Sequence, residues 1–287
     1  MNGGGGGRIT YLIANYNKEA FVGTCLESVL AQSDPRWLAL VADDASTDRS
    51  LEFLREFRDE RIAISVNEKN LGYTGTLRRL ISQATTEIVA ILDADDALEP
   101  DATATLIDAF DRHPEAGLVY SRFAEYDESL TTIRGIHGGA VPPGGTAIID
   151  GPVGAIRCFR RSAYDTTDGL DSEMEYAEDR DLVYKLEEIG RPVFIDRVIY
   201  RYRAVDGSQS RDPRKREIGA KNTWRAKRAA LERRQVRGPA RLIAECAVAC
   251  SYVAYSDRFS APVRAAASGI DAAASALWRA QMSRKVL

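Results

Sequence analysis

The chain has 287 residues, of which 45% are hydrophobic and 28% are charged, and its formal net charge is −3. This is the composition of an ordinary globular protein, and no apolar run approaches the roughly 20 residues that a membrane-spanning helix needs. The length allows one large domain, or a domain with a helical appendage, and is enough to bury a substantial core.

The chain starts with a glycine run that lacks the apolar core of a secretory signal, so residues 1–7 are expected to be a flexible leader. The next hundred residues alternate between apolar runs of strand length and segments with helical spacing, a pattern typical of β-α-β units and a parallel sheet. Predicted strands cover residues 9–14, 37–42, 62–66 and 88–92. The inward positions of the intervening helices are Val22, Cys25, Leu26, Val29 and Leu30, then Leu51, Leu54 and Phe57, then Leu77, Leu80, Ile81 and Ala84.

The rest of the chain is less regular until it becomes helical. Residues 142–154 are rich in Pro and Gly, which predicts a break in regular structure and a loop bordering a substrate pocket; a strand over 155–159 follows. Composition changes near Asp212-Pro213, and residues 242–255 and 262–282 are predicted helices that cap the main domain or pair two subunits. The predicted apolar face of the first of these comprises Leu242, Cys246, Ala249, Cys250 and Val253, and the four cysteines of the chain are expected to be reduced and mostly buried.

Polar clusters follow three of the predicted strands. They are Asn15 to Asn17, Asp43 to Asp48 and Asp93 to Asp96. In an open parallel sheet, ligands bind outside the carboxyl ends of the strands, so the three clusters are expected to converge on one pocket. The pocket would contain carboxylates in excess, with hydroxyls and amides beside them and few cations.

Such a pocket favours a hard divalent cation, Mg²⁺ or Mn²⁺, held by Asp93 and Asp95 with sites left for phosphate oxygens. A diphosphate leaving group fits, because the ion would neutralise the charge that grows on the departing phosphate. The sequence contains neither a P-loop nor a GxGxxG segment that opens a helix, which argues against P-loop and dinucleotide-binding sites.

Several segments carry a family resemblance when taken in order. They are residues 9–32, VADDASTDRS at 41–50, Asn70-Leu71-Gly72, ILDADD at 91–96, EDRDL at 178–182, and Tyr200 to Arg203 followed by Gly207-Ser208. Together they resemble the family-2 glycosyltransferases of the GT-A fold. The resemblance implies an α/β GT-A catalytic domain over residues 8–211, with a mostly parallel sheet flanked by helices, and a helical extension over residues 212–287.

The resemblance also implies roles for individual residues. The residues implied to bind the nucleotide-sugar are Ala14, Tyr16, Asp44, Arg78, Asp93 and Ala94. Asp93 and Asp95 would hold the metal, with Asp206 standing near the place where many members have a histidine ligand. Asp179 is implied as the general base for an inverting transfer. Since residues at i and i+2 of a helix point in different directions, Asp179 and Asp181 are not expected to serve one site together.

The expected partners are a nucleotide-sugar, with uracil favoured over guanine and thymine, and an acceptor hydroxyl on a glycan, a lipid-linked acceptor or a small molecule. The QxxRW motif of processive synthases is missing after Glu178-Asp179, which favours the transfer of one sugar at a time. A nucleotidyltransferase and an inactive nucleotide-binding scaffold remain alternatives. The first would need more cations beside the first strand than Lys18, and the second would be expected to have lost Asp93, Asp95 or Asp179.

The segment from Arg211 to Arg241 is strongly basic, with twelve Lys or Arg and three acidic residues. A solvated helix face is its default interpretation; contact with an anionic membrane, through Trp224, Arg225, Lys227 and Arg228, and docking of an acidic acceptor are the alternatives. Nucleic acid is not expected, because the segment carries no known reader motif. The expected location is cytoplasmic, either free or peripheral on the inner face of the membrane.

Overall fold

The computed structural model describes residues 6–151, 153–205, 212–256 and 258–283. Compactness divides the chain into two units, which are treated separately: the first comprises residues 1–139, 154–169 and 190–205, and the second residues 140–153, 170–189 and 206–287. The predicted domain limits at residues 7 and 211 stay a prediction.

All strands of the described residues belong to the first unit, together with five of the helices. In chain order its elements are β1 (Ile9–Asn15), α1 (Val22–Leu30), β2 (Trp37–Asp43), α2 (Ser50–Leu54), β3 (Ile62–Val66), α3 (Gly72–Gln83), β4 (Ile88–Ile91), β5 (Ala97–Leu98), α4 (Ala102–Arg112), β6 (Leu118–Tyr126), β7 (Ile133–His137), β8 (Arg157–Arg160), α6 (Arg161–Asp165) and β9 (Val193–Arg203). The second unit contains α5 (Ala147–Asp150), α7 (Glu178–Ile189), α8 (Pro213–Arg233), α9 (Gly238–Tyr255) and α10 (Ala261–Ser283).

The nine strands form one sheet in the order β3-β2-β1-β4-β8-β6-β9-β5, with β7 paired to β6. The first four strands of this order are parallel neighbours, as the alternating pattern predicts. β8 and β5 join antiparallel, while β9 runs parallel to β6. The α/β architecture predicted from the sequence is confirmed, and the sheet order brings the ends of β1, β2 and β4 side by side.

The core explains why these residues form these elements. Continuous apolar runs form β1, β2 and β4, because both faces of a central parallel strand are covered. Ile9, Leu12 and Ile13 of β1 are fully buried, as are Cys25 and Leu26 on the inner stripe of α1.

Three local expectations are corrected. Helix α2 ends at Leu54, so Phe57 packs against the core from beyond the helix and Leu51 is only half-buried. The segment 142–154 is interrupted by the short helix α5, which begins after the cap residue Thr146 and ends at Asp150, before Gly151 with φ of 59°. The strand expected over 155–159 occupies Arg157–Arg160 instead.

Helix α9 packs through a different stripe from the one predicted. Leu242 is 70% exposed and Cys246 is also exposed. The buried side chains of α9 are Ala240, Ala244, Ala247, Val248 and Ser251. Small residues let α9 lie close to α8 and α10, so the larger apolar side chains are left outside. The expectation that the cysteines are mostly buried therefore holds for Cys25 and Cys158 but not for Cys246.

None of the helices in the described part of the chain is both long enough and apolar enough to cross a bilayer. The pairing of two subunits through the helical extension stays a prediction.

Candidate active site

The polar ends of β1 and β2 meet directly. The two strands pair in register up to Asn15 and Asp43, and the Asn15 amide donates to Asp43 Oδ1 at 2.8 Å and to the Ser46 hydroxyl at 3.2 Å. The backbone N–H of Ser46 donates to Asp43 Oδ2 at 3.0 Å. Asp43 is therefore occupied in holding the two loops together, and 1% of its surface is exposed.

Asp44 lies beside this contact and is held by the segment that leads into α3. Its Oδ1 accepts hydrogen bonds from the Asn67 amide and from the Leu71 backbone N–H, each at 2.7 Å. Arg79 Nη1 donates to Asn67 Oδ1. The Asn67 side chain therefore links the Arg79 guanidinium to the Asp44 carboxylate. Asn67 and Arg79 were not predicted as site residues. The sequence signal for them was the neighbouring Asn70-Leu71-Gly72 motif.

The other residues predicted to bind the donor lie in different settings. Tyr16, directly after β1, exposes 45% of its surface, which leaves an aromatic face open at the end of the strand. Ala14 is half-buried in β1, and Ala94 is buried after β4. Arg78 is exposed on α3 and does not carry the contact to Asn67 that Arg79 makes. Their roles toward a donor stay predictions.

The third polar cluster forms a tight turn whose geometry depends on Asp96. This side chain is 1% exposed; its Oδ2 accepts from the Tyr200 hydroxyl and its Oδ1 from the Arg203 backbone N–H, both at 2.7 Å. Arg203 Nε also donates to the Asp95 carbonyl at 2.6 Å. Burial, with the nearby charges of Asp93 and Asp95, raises the pKa of Asp96 well above its ordinary value. Asp96 thus anchors the turn to β9.

Asp93 and Asp95 remain partly exposed in this turn, with side-chain exposures of 28% and 18%. Asp93 Oδ1 accepts from the Tyr73 hydroxyl at 2.5 Å, and Asp93 Oδ2 lies 3.6 Å from Arg157 Nη2. Asp95 Oδ2 lies 2.5 Å from the Lys18 ammonium. Each carboxylate therefore has a partner from a different element of the first unit.

The described residues contain no cluster of three or more acidic, His or Cys side chains arranged to hold a metal by themselves. Two carboxylates in one turn nevertheless fit Mg²⁺ or Mn²⁺, because these ions are commonly bound by one or two carboxylates plus substrate phosphates and water. Asp206, the third predicted metal ligand, lies outside the described residues.

Asp179 lies in the second unit, in the first turn of α7, where Glu178 and Asp181 add two further acids. Acidic residues are favoured there by the positive end of the helix dipole. Asp181 is buried and its Oδ2 pairs with the Lys185 ammonium at 2.7 Å. Asp179 is half-exposed and accepts a hydrogen bond from the Arg180 backbone N–H at 2.7 Å. Asp181 thus forms an ion pair within α7, and Asp179 is the more accessible of the two side chains.

Comparisons with known proteins identify the family and the fold of this chain. The family model for glycosyl transferase family 2 matches residues 10–167. The chain is 24% identical to chondroitin synthase of Escherichia coli over 78% of its own length, but it spans only 33% of that enzyme. It is 26% identical to the putative glycosyltransferase EpsE of Bacillus subtilis, over 69% of this chain and 73% of EpsE.

Two solved structures share the fold. The mannosyltransferase PcManGT of Pyrobaculum calidifontis, solved with GDP-Man and Mn²⁺, aligns with a TM-score of 0.66 and 20% identity, over 98% of this chain and 81% of that one. Residues 1–349 of S. aureus TarS, solved with UDP, align with a TM-score of 0.59 and 16% identity, over 98% and 92%. The family match covers more than half of the chain, and the chain therefore belongs to glycosyl transferase family 2 and has the GT-A fold.

Proposed function

We propose that this enzyme transfers one sugar from a nucleoside diphosphate sugar to an acceptor hydroxyl, with inversion and with the help of Mn²⁺ or Mg²⁺. The observation that carries the proposal is the turn at the carboxyl end of β4. Buried Asp96 fixes this turn to β9 and leaves Asp93 and Asp95 partly exposed, beside the polar ends of β1 and β2.

In this proposal the nucleoside binds beside Asp44, with the exposed ring of Tyr16 as a stacking surface. Asp44 Oδ2 would accept a hydrogen bond from the base, since Oδ1 already has two donors. A base that offers an N–H next to a carbonyl, such as uracil, suits this arrangement. The relatives solved with UDP and with GDP-Man make uridine and guanosine nucleotides the first two candidates.

Asp93 and Asp95 would hold the divalent ion, which when bound would neutralise the negative charge that develops on the leaving diphosphate. Asp179 would take the proton from the acceptor hydroxyl as the hydroxyl attacks the anomeric carbon. Its place in the first turn of α7 favours the ionised carboxylate that a general base requires.

For the acceptor, we propose a cavity of about 420 Å³ in the second unit, which includes Ile149 and Asp150 from the segment predicted to border a substrate pocket. The Asp150 carboxylate pairs with Arg279, and Asp271 Oδ1 is buried without a hydrogen-bond partner. A hydroxyl group of a bound ligand would donate a hydrogen bond to this buried carboxylate oxygen and remove the cost of leaving it unpaired. The exposed ring of Tyr255 at the same cavity offers a face on which a sugar can stack.

A thermal-shift panel of UDP, GDP, dTDP and CDP, each with and without Mn²⁺, tests the proposal. A ligand that binds only the folded state raises the melting temperature, by an amount equivalent to about 2.7 kcal/mol at one hundred times Kd. We expect one nucleotide to stabilise the protein only when Mn²⁺ is present. A panel in which no nucleotide shifts the melting temperature would contradict donor binding and, with it, the proposed transfer.

We also propose that α8 contacts an anionic membrane surface from the cytoplasmic side, through a face that differs from the one the sequence suggested. Lys227 is 6% exposed, its ammonium donates to the Ser251 hydroxyl, and burial lowers its pKa to about 8, so it does not belong to this face. Four of the exposed cations recur at helical spacing on one side of α8: Arg214, Lys221, Arg225 and Arg228. Cations near an anionic surface contribute about 1 kcal/mol each.

Flotation with phosphatidylglycerol vesicles at low salt is expected to recover the wild type, and Lys221→Glu/Arg225→Glu is expected to lose most of that recovery. The matched control is Arg55→Glu/Arg58→Glu, which reverses two exposed cations of the first unit. If the wild type does not float with the vesicles at low salt, the membrane proposal is wrong and the exposed face of α8 is only solvated.

A further inference from the structure

The first strand is followed by a cation that points to the predicted metal site. The Lys18 ammonium lies 2.5 Å from Asp95 Oδ2, although the two residues are 77 positions apart in the chain. The backbone of this loop is fixed: the Lys18 N–H donates to the Ser50 hydroxyl at 2.9 Å, and Asn17 adopts a left-handed conformation with φ of 51°. Lys18 is therefore brought to Asp95 by the fold.

The cations of the turn differ in how firmly they are held. Arg203 is 6% exposed, and its guanidinium donates to the carbonyls of Asp95 and Glu128. Arg157 has a side-chain exposure of only 14%. The Lys18 side chain is 30% exposed, and its ammonium is a compact charge at the end of a flexible stem. Lys18 is thus the cation of the turn that can leave with the smallest rearrangement.

A divalent ion bound to Asp95 would share the carboxylate with the Lys18 ammonium, which lies 2.5 Å from Oδ2, and the repulsion between the two cations would weaken or displace the Lys18 contact. Metal binding alone therefore loses an ion pair and places two cations beside each other. When the metal arrives with a diphosphate, the displaced ammonium gains a new anionic partner within reach of the same loop, and the repulsion is offset.

We propose that Lys18 neutralises Asp95 in the free protein. When the metal binds, the Lys18 ammonium leaves the Asp95 carboxylate and pairs with the diphosphate of the donor. This inference rests on the proposed function. It makes metal binding and nucleotide binding cooperative, and linkage requires the two effects to be reciprocal. The free enzyme would bind Mn²⁺ weakly, and the donor and the ion would bind together.

The test is a Mn²⁺ titration followed by the EPR signal of the free ion, with and without the nucleotide identified by the thermal-shift panel. Lys18→Met keeps the length of the side chain and removes the charge. We expect this variant to bind Mn²⁺ alone about tenfold more tightly than the wild type, and the gain in Mn²⁺ affinity caused by the nucleotide to shrink by about the same factor or more. Lys18→Arg, which keeps the charge, should retain the weak binding of Mn²⁺ alone.

Arg55→Met is the matched control, because it removes an exposed cation of the same unit, and its titrations should match the wild type. A far-ultraviolet melt establishes that each variant is folded. If Lys18→Met binds Mn²⁺ alone no more tightly than the wild type, the inference is wrong while the proposed function stands. If the wild type shows no nucleotide-dependent binding of Mn²⁺, the proposed function fails and the inference fails with it.

Discussion

Asp95→Ala is expected to lower kcat/KM for the nucleotide-sugar by about a thousandfold or more, and to remove the stabilisation that Mn²⁺ and nucleotide produce together. The variant takes away one of the two carboxylates proposed to hold the ion, and a metal that neutralises a leaving diphosphate contributes several kcal/mol to the transition state. Each 1.36 kcal/mol of that contribution is a factor of ten in rate. The release of nucleoside diphosphate from the donor, measured across a range of Mn²⁺ concentrations, gives both quantities.

One property of the turn makes this variant interpretable. Asp96, and not Asp95, carries the hydrogen bonds to Tyr200 and Arg203, so the turn keeps its anchor when the Asp95 side chain is removed. Glu60→Ala is the matched control, since it removes an exposed acid of the same unit and should leave kcat/KM unchanged. An Asp95→Ala variant with wild-type turnover and an unchanged Mn²⁺ dependence would show that the ion is not held here.

The sequence was sufficient for the part of the fold that builds the site. Apolar runs at strand spacing predicted β1, β2, β3 and β4 to within one residue at each end, because central parallel strands are buried on both faces. The convergence of the three polar clusters followed from parallel pairing alone. The antiparallel entry of β8 and β5 could not be predicted in this way, since these short strands carry no pattern that specifies a partner.

The structural role of one carboxylate in the turn after β4 could be assigned only from the structure. The sequence assigned the metal to Asp93 and Asp95 and gave no role to Asp96, and the burial and hydrogen bonds of Asp96 show that it anchors the turn. The contact between Lys18 and Asp95 depends on β1 and β4 being neighbours in the sheet. The membrane-facing residues predicted for the basic segment wrongly included Lys227. Composition alone cannot distinguish this buried lysine from the exposed cations around it.

The second large effect is expected at the proposed general base. Asp179→Asn should lower kcat by a factor of about a hundred to ten thousand, which is the range that a positioned general base contributes. The amide keeps the shape of the side chain and removes its ability to take the proton from the acceptor. Asp179 is not one of the proposed metal or nucleotide ligands, so stabilisation by Mn²⁺ with nucleotide should stay at the wild-type level.

Asp181→Asn separates catalysis from structure on the same helix. Asp181 is buried against the Lys185 ammonium, so its replacement leaves a buried cation with a weaker partner, and the loss should appear in the free energy of unfolding by about 1 to 3 kcal/mol. Glu173→Gln removes an exposed acid of the same unit and is the control for both variants. If Asp179→Asn keeps the wild-type kcat while Asp181→Asn loses it at unchanged stability, the assignment of the base is reversed. If neither variant loses kcat, the proton is taken by a group outside this turn of α7.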